Sequence, residues 1–440
     1  MATQTHREQR IEPYPGRRLP PSVRRFLDTE ASSGILLLAA ALVALVWANS
    51  PWSASYQSLW HTDITVNFGR YVLEGDLHHW VNDALMVVFF FVVGLEIKHE
   101  LVHGKLRDPR TAAMPAFAAL GGMVVPALLF FVVTAGGDGS KGWGIPMATD
   151  IAFAVGVVAL LGSRVPASLK LFLLTLAIVD DIGAIIVIGV FYSTGLQPQF
   201  LGAAAALIMV IFLINRAGVV HLAPYLVLGA ALWLATYASG VHATISGVIL
   251  GLLTPARSFL PASVAREWAR DLREEPSVQD LEAMRRLARH AVSPVERIAH
   301  ILHPWSSFLI VPLFALANAG VAIRADAFDA PGAVAVTGGV MLGLVVGKTL
   351  GVAGAAWLAA RLGVARLPEG ATWPMMVAIA AVAGIGFTVS LFVAELAYET
   401  GSLQDAAKLG VLAASTVAAM IGAVALSRAC RNRATVPEAV

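Results

Sequence analysis

The chain has 440 residues, of which 57% are hydrophobic and only 14% charged, and its mean hydropathy is +0.72. Soluble domains carry nearer a quarter charged residues, so this balance excludes an ordinary soluble protein and implies an integral membrane protein. The one cysteine, Cys430, excludes an intramolecular disulfide and a cysteine-based metal cluster, while the formal net charge of +2 says nothing until the charges are placed.

The first thirty residues are polar and arginine-rich, too long and too polar a leader for a cleaved signal peptide, so the first apolar run is expected to be a retained span. Apolar runs of spanning length fall at about 34–48, 82–98, 112–134, 144–162, 168–192, 199–215, 222–239, 241–254, 304–321, 332–360, 375–398 and 405–427. The expected fold is therefore an all-α polytopic membrane protein of about twelve helices over 34–428, with tails at 1–33 and 429–440. Lys and Arg concentrate in alternate connections: Arg7 to Arg25, Lys98 to Arg110, Arg164, Arg216, Arg257 to Arg297, Arg361 with Arg366, and Arg428 to Arg433. The intervening loops hold Arg70, Lys141 and Arg324, with Lys408 at the edge of the last span. The positive-inside rule then puts both termini in the cytoplasm.

Two extramembrane pieces stand out. Residues 62–74, TDITVNFGRYVLE, alternate in polarity around Asn67-Phe68-Gly69 and predict an external β-hairpin, marginal unless it leans on another chain or the membrane face. An ordered loop accounts for the same pattern. Residues 255–303 form the one long cytoplasmic connection, with two short amphipathic helices, EWARDLREE and QDLEAMRRLARHA, split by Pro276.

The fifth run, LFLLTLAIVDDIGAIIVIGV, carries Asp180 and Asp181 side by side at mid-membrane. A charge at the bilayer centre costs about 2.5–3.5 kcal/mol on insertion scales, so such a pair requires partners. Asp150 lies inside the fourth run, Lys348 near the middle of the tenth, and Asp83 and Glu96 towards opposite ends of the second. Asp83 and Glu96 are near enough to the interface to be merely solvated, and Asp150, after Thr149, has the position of a helix cap. Lys348 has about a dozen apolar residues on either side and calls for a buried partner. Adjacent residues on a helix point about 100° apart, so Asp180 and Asp181 cannot both face one partner. One can pair with Lys348 while the other faces a cavity.

The run GWGIPMATDIAFAVG has helix breakers on one side of Thr149-Asp150, and GIGFT, Gly384 to Thr388, is a comparable weak point. Broken helices at membrane depth survive only where protein or a water-filled cavity satisfies the freed backbone. Spans three to five and ten to twelve each have a broken middle member and point in opposite directions, which is the footprint of an inverted repeat and of a secondary-transporter site at the midplane. Two motifs compete. His99-Glu100-Leu101-Val102-His103 matches the H-E-x-x-H zinc-protease signature, but at a charged span end, without a third ligand motif, and leaving the aspartate pair unexplained. Gly347-Lys348-Thr349 resembles the end of a phosphate-binding loop, but Leu342 replaces its first glycine and the run is inside a span.

The segments ATDIAFAVGVVALLGSRVPASLKLFLLTLAIVDDIGAII at 148–186, WVNDALMVVFFFVVGLEIKHEL at 80–101, SGVHATISGVI, HILHPW, PLFALANAGV and GKTLGV closely resemble bacterial NhaA-type sodium/proton antiporters. That family is itself one of the standard cases of the inverted-repeat transporter. The resemblance implies electrogenic exchange of cytoplasmic sodium or lithium for external protons at the inner membrane, giving pH and sodium homeostasis, with no enzymatic activity, no cofactor and no nucleic-acid partner. It implies Asp181 as the main cation and proton ligand, Asp180 as the partner of Lys348, and Thr149, Asp150 and Asp83 in support. It also implies a homodimer formed through the 62–74 hairpin. The cluster that senses pH would comprise Glu96 and Glu100, with His300, His303, Glu296 and His242 as further candidates. His99 and Ala299 depart from the family's arginine and glutamate there, and Glu296 stands one turn earlier. A transporter of the same architecture carrying another substrate, such as an organic anion, is the alternative.

Overall fold

The computed structural model describes residues 21–68, 71–219, 222–258, 291–323, 328–399 and 401–434. The turn of the expected hairpin, Arg324, and the two amphipathic helices expected within 255–303 lie outside the described residues, as do 1–20 and 435–440 of the tails. Helix α1 (Pro21–Ala48) turns by 115° into the short α2 (Ser53–Trp60). Strands β1 (Asp63–Phe68) and β2 (Tyr71–Asp76) follow, then α3 (Leu77–Val102) and α4 (Pro109–Thr134). A ten-residue 3-10 segment, Asp138–Met147, precedes α5 (Ile151–Leu160), and α6 is Ala167–Phe191. Next come α7 (Pro198–Arg216), α8 (Leu222–Ala238), α9 (Thr244–Leu253), α10 (Pro294–Asn318) and α11 (Ala333–Arg361). Helices α12 (Trp373–Val382), α13 (Phe387–Ala397) and α14 (Ser402–Ala434) complete the chain.

Seven of these helices are long and apolar enough to cross a membrane, and up to ten spans result if each bent pair is one. Leucines and valines such as Val132, Val190 and Leu226 are strongly exposed, which in lipid is the relaxed state for them. The spans divide by packing: α4 pairs with α11, α14 lies against α11, α12 and α13, α9 lies on α3, and α7 with α8 forms an outer pair.

The strands pair antiparallel with Phe68 opposite Tyr71 and Asp63 opposite Asp76. Pairing thus runs two residues past the expected end at 74, and the connection falls at 69–70 rather than around Asn67-Phe68-Gly69. Asp76 closes the ribbon. Partial burial works against its charge, but bonds from the His79 N–H and the His61 ring outweigh this and hold the carboxyl below the usual range.

Three helices contain a π-turn that no periodicity announces: Val81–Leu85 in α3, Ser306–Ile310 in α10 and Leu342–Gly347 in α11. The second follows Pro304, which removes a backbone donor. The first contains Asp83 and the third ends just before Lys348, in keeping with the clustering of π-turns at functional positions. Helix α10 begins ten residues before the expected start of the ninth span, because Ser293 caps it by accepting from the Glu296 N–H.

The α4–α11 crossing rests on glycine. A Cβ on Gly121 would lie 2.2 Å from the Gly351 carbonyl oxygen, and one on Gly351 equally close to the Gly121 oxygen. Small residues let helix backbones approach closely in lipid, where no hydrophobic force drives association. Gly121→Val is expected to force the helices apart, at a cost of about 1–3 kcal/mol, and lower the melting temperature of the detergent-solubilised protein by several degrees. An unchanged melting curve would contradict this crossing.

Candidate functional site

The two interrupted segments, Asp138–Met147 with α5 and α12 with α13, each bend by 47° and meet at their breaks. Asp150 N–H donates to the Ile385 carbonyl at 2.7 Å, and Thr149 Oγ1 stands 2.9 Å from the Ala383 carbonyl oxygen, its one proton shared between that oxygen and Asp180 Oδ2. Each break therefore takes up backbone groups the other has freed. Gly384 lets the same break lie against α11, since a Cβ there would clash with the Leu344 carbonyl oxygen.

Asp150 caps two helices at once. Its Oδ1 accepts from Phe153 N–H at 2.9 Å at the start of α5, and its Oδ2 accepts from Thr388 N–H at 3.1 Å and Thr388 Oγ1 at 2.6 Å at the start of α13. A carboxylate between two helix N-termini is favoured by both sets of exposed N–H groups. Lys348 does the converse at a carbonyl end: its ammonium donates to the Met147 carbonyl, where the 3-10 segment stops, and to Asp180 Oδ2 at 2.7 Å. Lys348 and Asp180 are both fully buried.

The adjacent aspartates diverge as helical geometry demands. Asp180 Oδ2 accepts from Lys348 and from Thr149 Oγ1 at 2.7 Å, whereas Asp180 Oδ1 and Asp181 Oδ1 take no hydrogen bond from any described residue. Asp181 points into a cavity of about 60 Å³ that Asp180 does not line. Thr149, Asp150, Thr388, Glu96, His303 and Ser306 also line it. The volume is room for several waters, and the walls offer oxygen donors suited to a hard cation. Ser390 and two tyrosines, none singled out by the sequence, brace the 3-10 segment: Ser390 Oγ donates to Ile145, Tyr192 accepts from Gly144 N–H, and Tyr398 donates to the Gly139 carbonyl.

The remaining expected residues separate into two ends. At one, His303 Nε2 stands 3.7 Å from Glu96 Oε1, both side chains about one-fifth exposed. His303 is thus part of the cavity wall within α10 rather than a surface residue at a helix start. Glu100 is turned to a local task, its Oε2 accepting from Lys105 N–H at 2.9 Å to close the end of α3, while Glu296 and His300 are exposed. At the other end, Asp83 pairs with His79 at 3.3 Å, about 20 Å along α3 from Glu96. His242 belongs with that far end: its Nε2 is 2.8 Å from the Tyr192 carbonyl. It is therefore separated from the Glu96–His303 group, contrary to its grouping with them from sequence. His99 and His103 lie tilted against each other with ring centroids 5.6 Å apart, but among the described residues no group of three or more His, Cys, Asp or Glu is placed to hold a metal.

Against this geometry, residues 24–426 match the family model described as Na+/H+ antiporter 1. The chain belongs to that family. It is 48% identical over 411 residues to the Na(+)/H(+) antiporter NhaA of Rhodopirellula baltica, covering 90% of this chain and 92% of the relative. It is 45% identical over 439 residues to the Na(+)/H(+) antiporter NhaA of Oleidesulfovibrio alaskensis, covering 96% and 97%. A solved sodium proton antiporter from Methanocaldococcus jannaschii aligns over 94% of this chain and 99% of its own, at 13% identity and a TM-score of 0.47.

The buried pair makes a sharp energetic prediction. Lys348→Met is expected to leave Asp180 as an uncompensated buried charge and to destabilise the protein by about 3–5 kcal/mol, whereas Lys348→Met combined with Asp180→Asn is expected to cost much less than the sum of the single changes. Thermal unfolding of the four proteins in detergent measures this, and additive effects would refute the coupling.

Proposed function

We propose that the chain is a secondary transporter that exchanges cytoplasmic sodium or lithium for external protons, with Asp181 as the ion-carrying group. The observation that carries this reading is the asymmetry of the aspartate pair. Lys348 and Thr149 neutralise and fix Asp180, while Asp181 keeps an unpartnered oxygen beside a small, mostly apolar cavity into which a few oxygen-bearing side chains project. A carboxylate in such surroundings must be neutralised, and either a proton or a cation can do so. The two compete for one group, so the loaded forms are exclusive. If each form favours exposure to the opposite side, exchange follows without any covalent chemistry.

The reaction sequence is then as follows. A cation enters from the Glu96–His303 end and displaces the protons held by the aspartate pair, with Asp181 as its main ligand. Lys348 keeps Asp180 in place, and the oxygens of Thr149 and Asp150 complete a set suited to a hard ion. After reorientation the cation leaves and external protons return. Glu96 and His303 at the cavity mouth are the pair best placed to make cation access depend on cytoplasmic pH, with Glu100, Glu296 and His300 nearby in sequence. Asp83, with His79, and His242 would act from the other end.

Topology completes the proposal. Seven long helices, three bent pairs and the two shorter apolar helices give twelve spans, with spans three to five and ten to twelve as an inverted repeat. An even count puts both termini on one side, and the lysine and arginine distribution makes that side the cytoplasm of a bacterial inner membrane. The β1–β2 ribbon is external and pairs two copies into a homodimer. Deleting 63–76 is expected to leave a monomer by light scattering in detergent, and a retained dimer would reject that role.

The decisive experiment is sodium-driven proton flux in proteoliposomes. Wild type is expected to exchange sodium and lithium, and Asp181→Asn to lose exchange by at least about a hundredfold, since Asp180 stays tied to Lys348 and Asp150 to two helix ends, and neither is free to take over the role of Asp181. Full exchange by the variant would sink the site assignment. Flux that responds to neither sodium nor lithium would instead indicate another substrate.

A further inference from the structure

The cavity at Asp181 opens towards Glu96 and His303, so alternating exposure requires the opposite end to be shut in this conformation and able to open in another. Helix α13 runs from the cavity to that end. Thr388 lies at the cavity, Phe392 four residues on and Glu395 three residues further, a spacing that keeps all three on one side of the helix. Phe392 is wedged between Phe90 of α3 and Phe314 of α10, with ring centroids at 5.2 Å and 6.2 Å. All three rings are buried, so they form an apolar seal directly beyond the cavity.

Outside the seal lies a polar cluster the ion site does not use. Glu395 forms an ion pair with Lys408 of α14 through Oε1 and accepts from Gln404 at 3.0 Å through Oε2. The same Oε1 is 3.6 Å from His78 Nε2 of α3. His78 bonds to Asn318 Oδ1 of α10 at 3.1 Å, and the Asn318 amide donates to Asn82 Oδ1 of α3 at 2.7 Å. Lys408, Gln404 and Asn318 are buried, and Glu395 nearly so. The α13–α14 side thus carries a carboxylate with its counter-ion, and the α3–α10 side carries a histidine held by two asparagines. Beyond the aromatic seal, the polar groups of the two sides meet, among the described residues, at His78 with Glu395.

We propose that Glu395 is the positioning residue of an external gate, latching α13 and α14 to His78 and so holding the Phe392 seal shut while the ion cavity faces the cytoplasm. The latch rests on the antiporter reading and adds to it a residue that touches neither ion nor proton. A contact of this kind is worth up to about fivefold in an equilibrium, enough to bias the two exposures without locking them. Breaking it favours the conformation open to the outside.

The test uses membrane vesicles of defined sidedness, everted and right-side-out, in which half-saturating sodium concentrations are measured from each face. Glu395→Gln keeps the shape and a hydrogen bond to Gln404 but loses the charge. It is expected to lower the ratio of external to cytoplasmic half-saturating sodium by about fivefold, with exchange retained. The swap Glu395→Lys with Lys408→Glu keeps an ion pair between α13 and α14 but sets a lysine against His78, and it is expected to lower the ratio in the same way. A wild-type ratio in Glu395→Gln would overturn the latch. So would a wild-type ratio restored by the swap, since the effect would then belong to the α13–α14 pair alone. Absence of exchange in the wild-type protein would instead overturn the antiporter reading, and the latch with it.

Discussion

The whole arrangement depends on one buried ion pair, Lys348 with Asp180. Its lysine is among the largest fully buried side chains in the protein, and it binds a carboxylate and a terminal carbonyl of a broken helix together. A fully buried lysine in an apolar helix is tolerable only with such partners. Its placement therefore fixes α11 against α6 and against the 3-10 segment at the same time. The π-turn that ends just before Lys348 and the glycine contacts of α4 with α11 serve this placement, since both set the depth at which the lysine arrives.

In the proposed mechanism, with Asp180 neutralised, the site reduces to a single adjustable charge, Asp181, surrounded by groups already committed elsewhere. Asp150 is held by Phe153 and Thr388, and Thr149 by Asp180 and Ala383. Rigid surroundings of this kind make the state of Asp181 a property of what binds it rather than of side-chain rearrangement. That is what an exchanger needs, because any slack that let an unloaded site reorient would dissipate the gradient.

Much of this was legible in the sequence, for physical reasons. Charged residues in apolar runs are expensive, so Asp180, Asp181, Asp150 and Lys348 announce themselves, and adjacency on a helix forces the split between the aspartates. Glycine and proline next to Thr149 and at Gly384 marked both breaks. The residues that remained hidden carry no such penalty signal. Tyr192, Tyr398 and Ser390 act through single bonds to carbonyls, and nothing in their spacing tells which carbonyl. Glu395 sits near a span end, where a carboxylate reads as solvated, and its partners come from two other helices, α3 and α14. The start of α10 was obscured because a polar, histidine-bearing turn looks like loop until Ser293 is seen to cap it. His242 was misgrouped because a one-dimensional reading does not distinguish the two faces of the membrane for a residue between two short spans.

The junction of the two broken helices has an evolutionary consequence. The bond from the Asp150 N–H to the Ile385 carbonyl joins main chain to main chain, so almost no substitution can delete it. Substitutions at the cavity wall leave this main-chain link in place, whereas the links made by Asp150, Thr149 and Lys348 go with their side chains. The crossing thus has one joint that is inherited with the backbone and others that selection must maintain residue by residue.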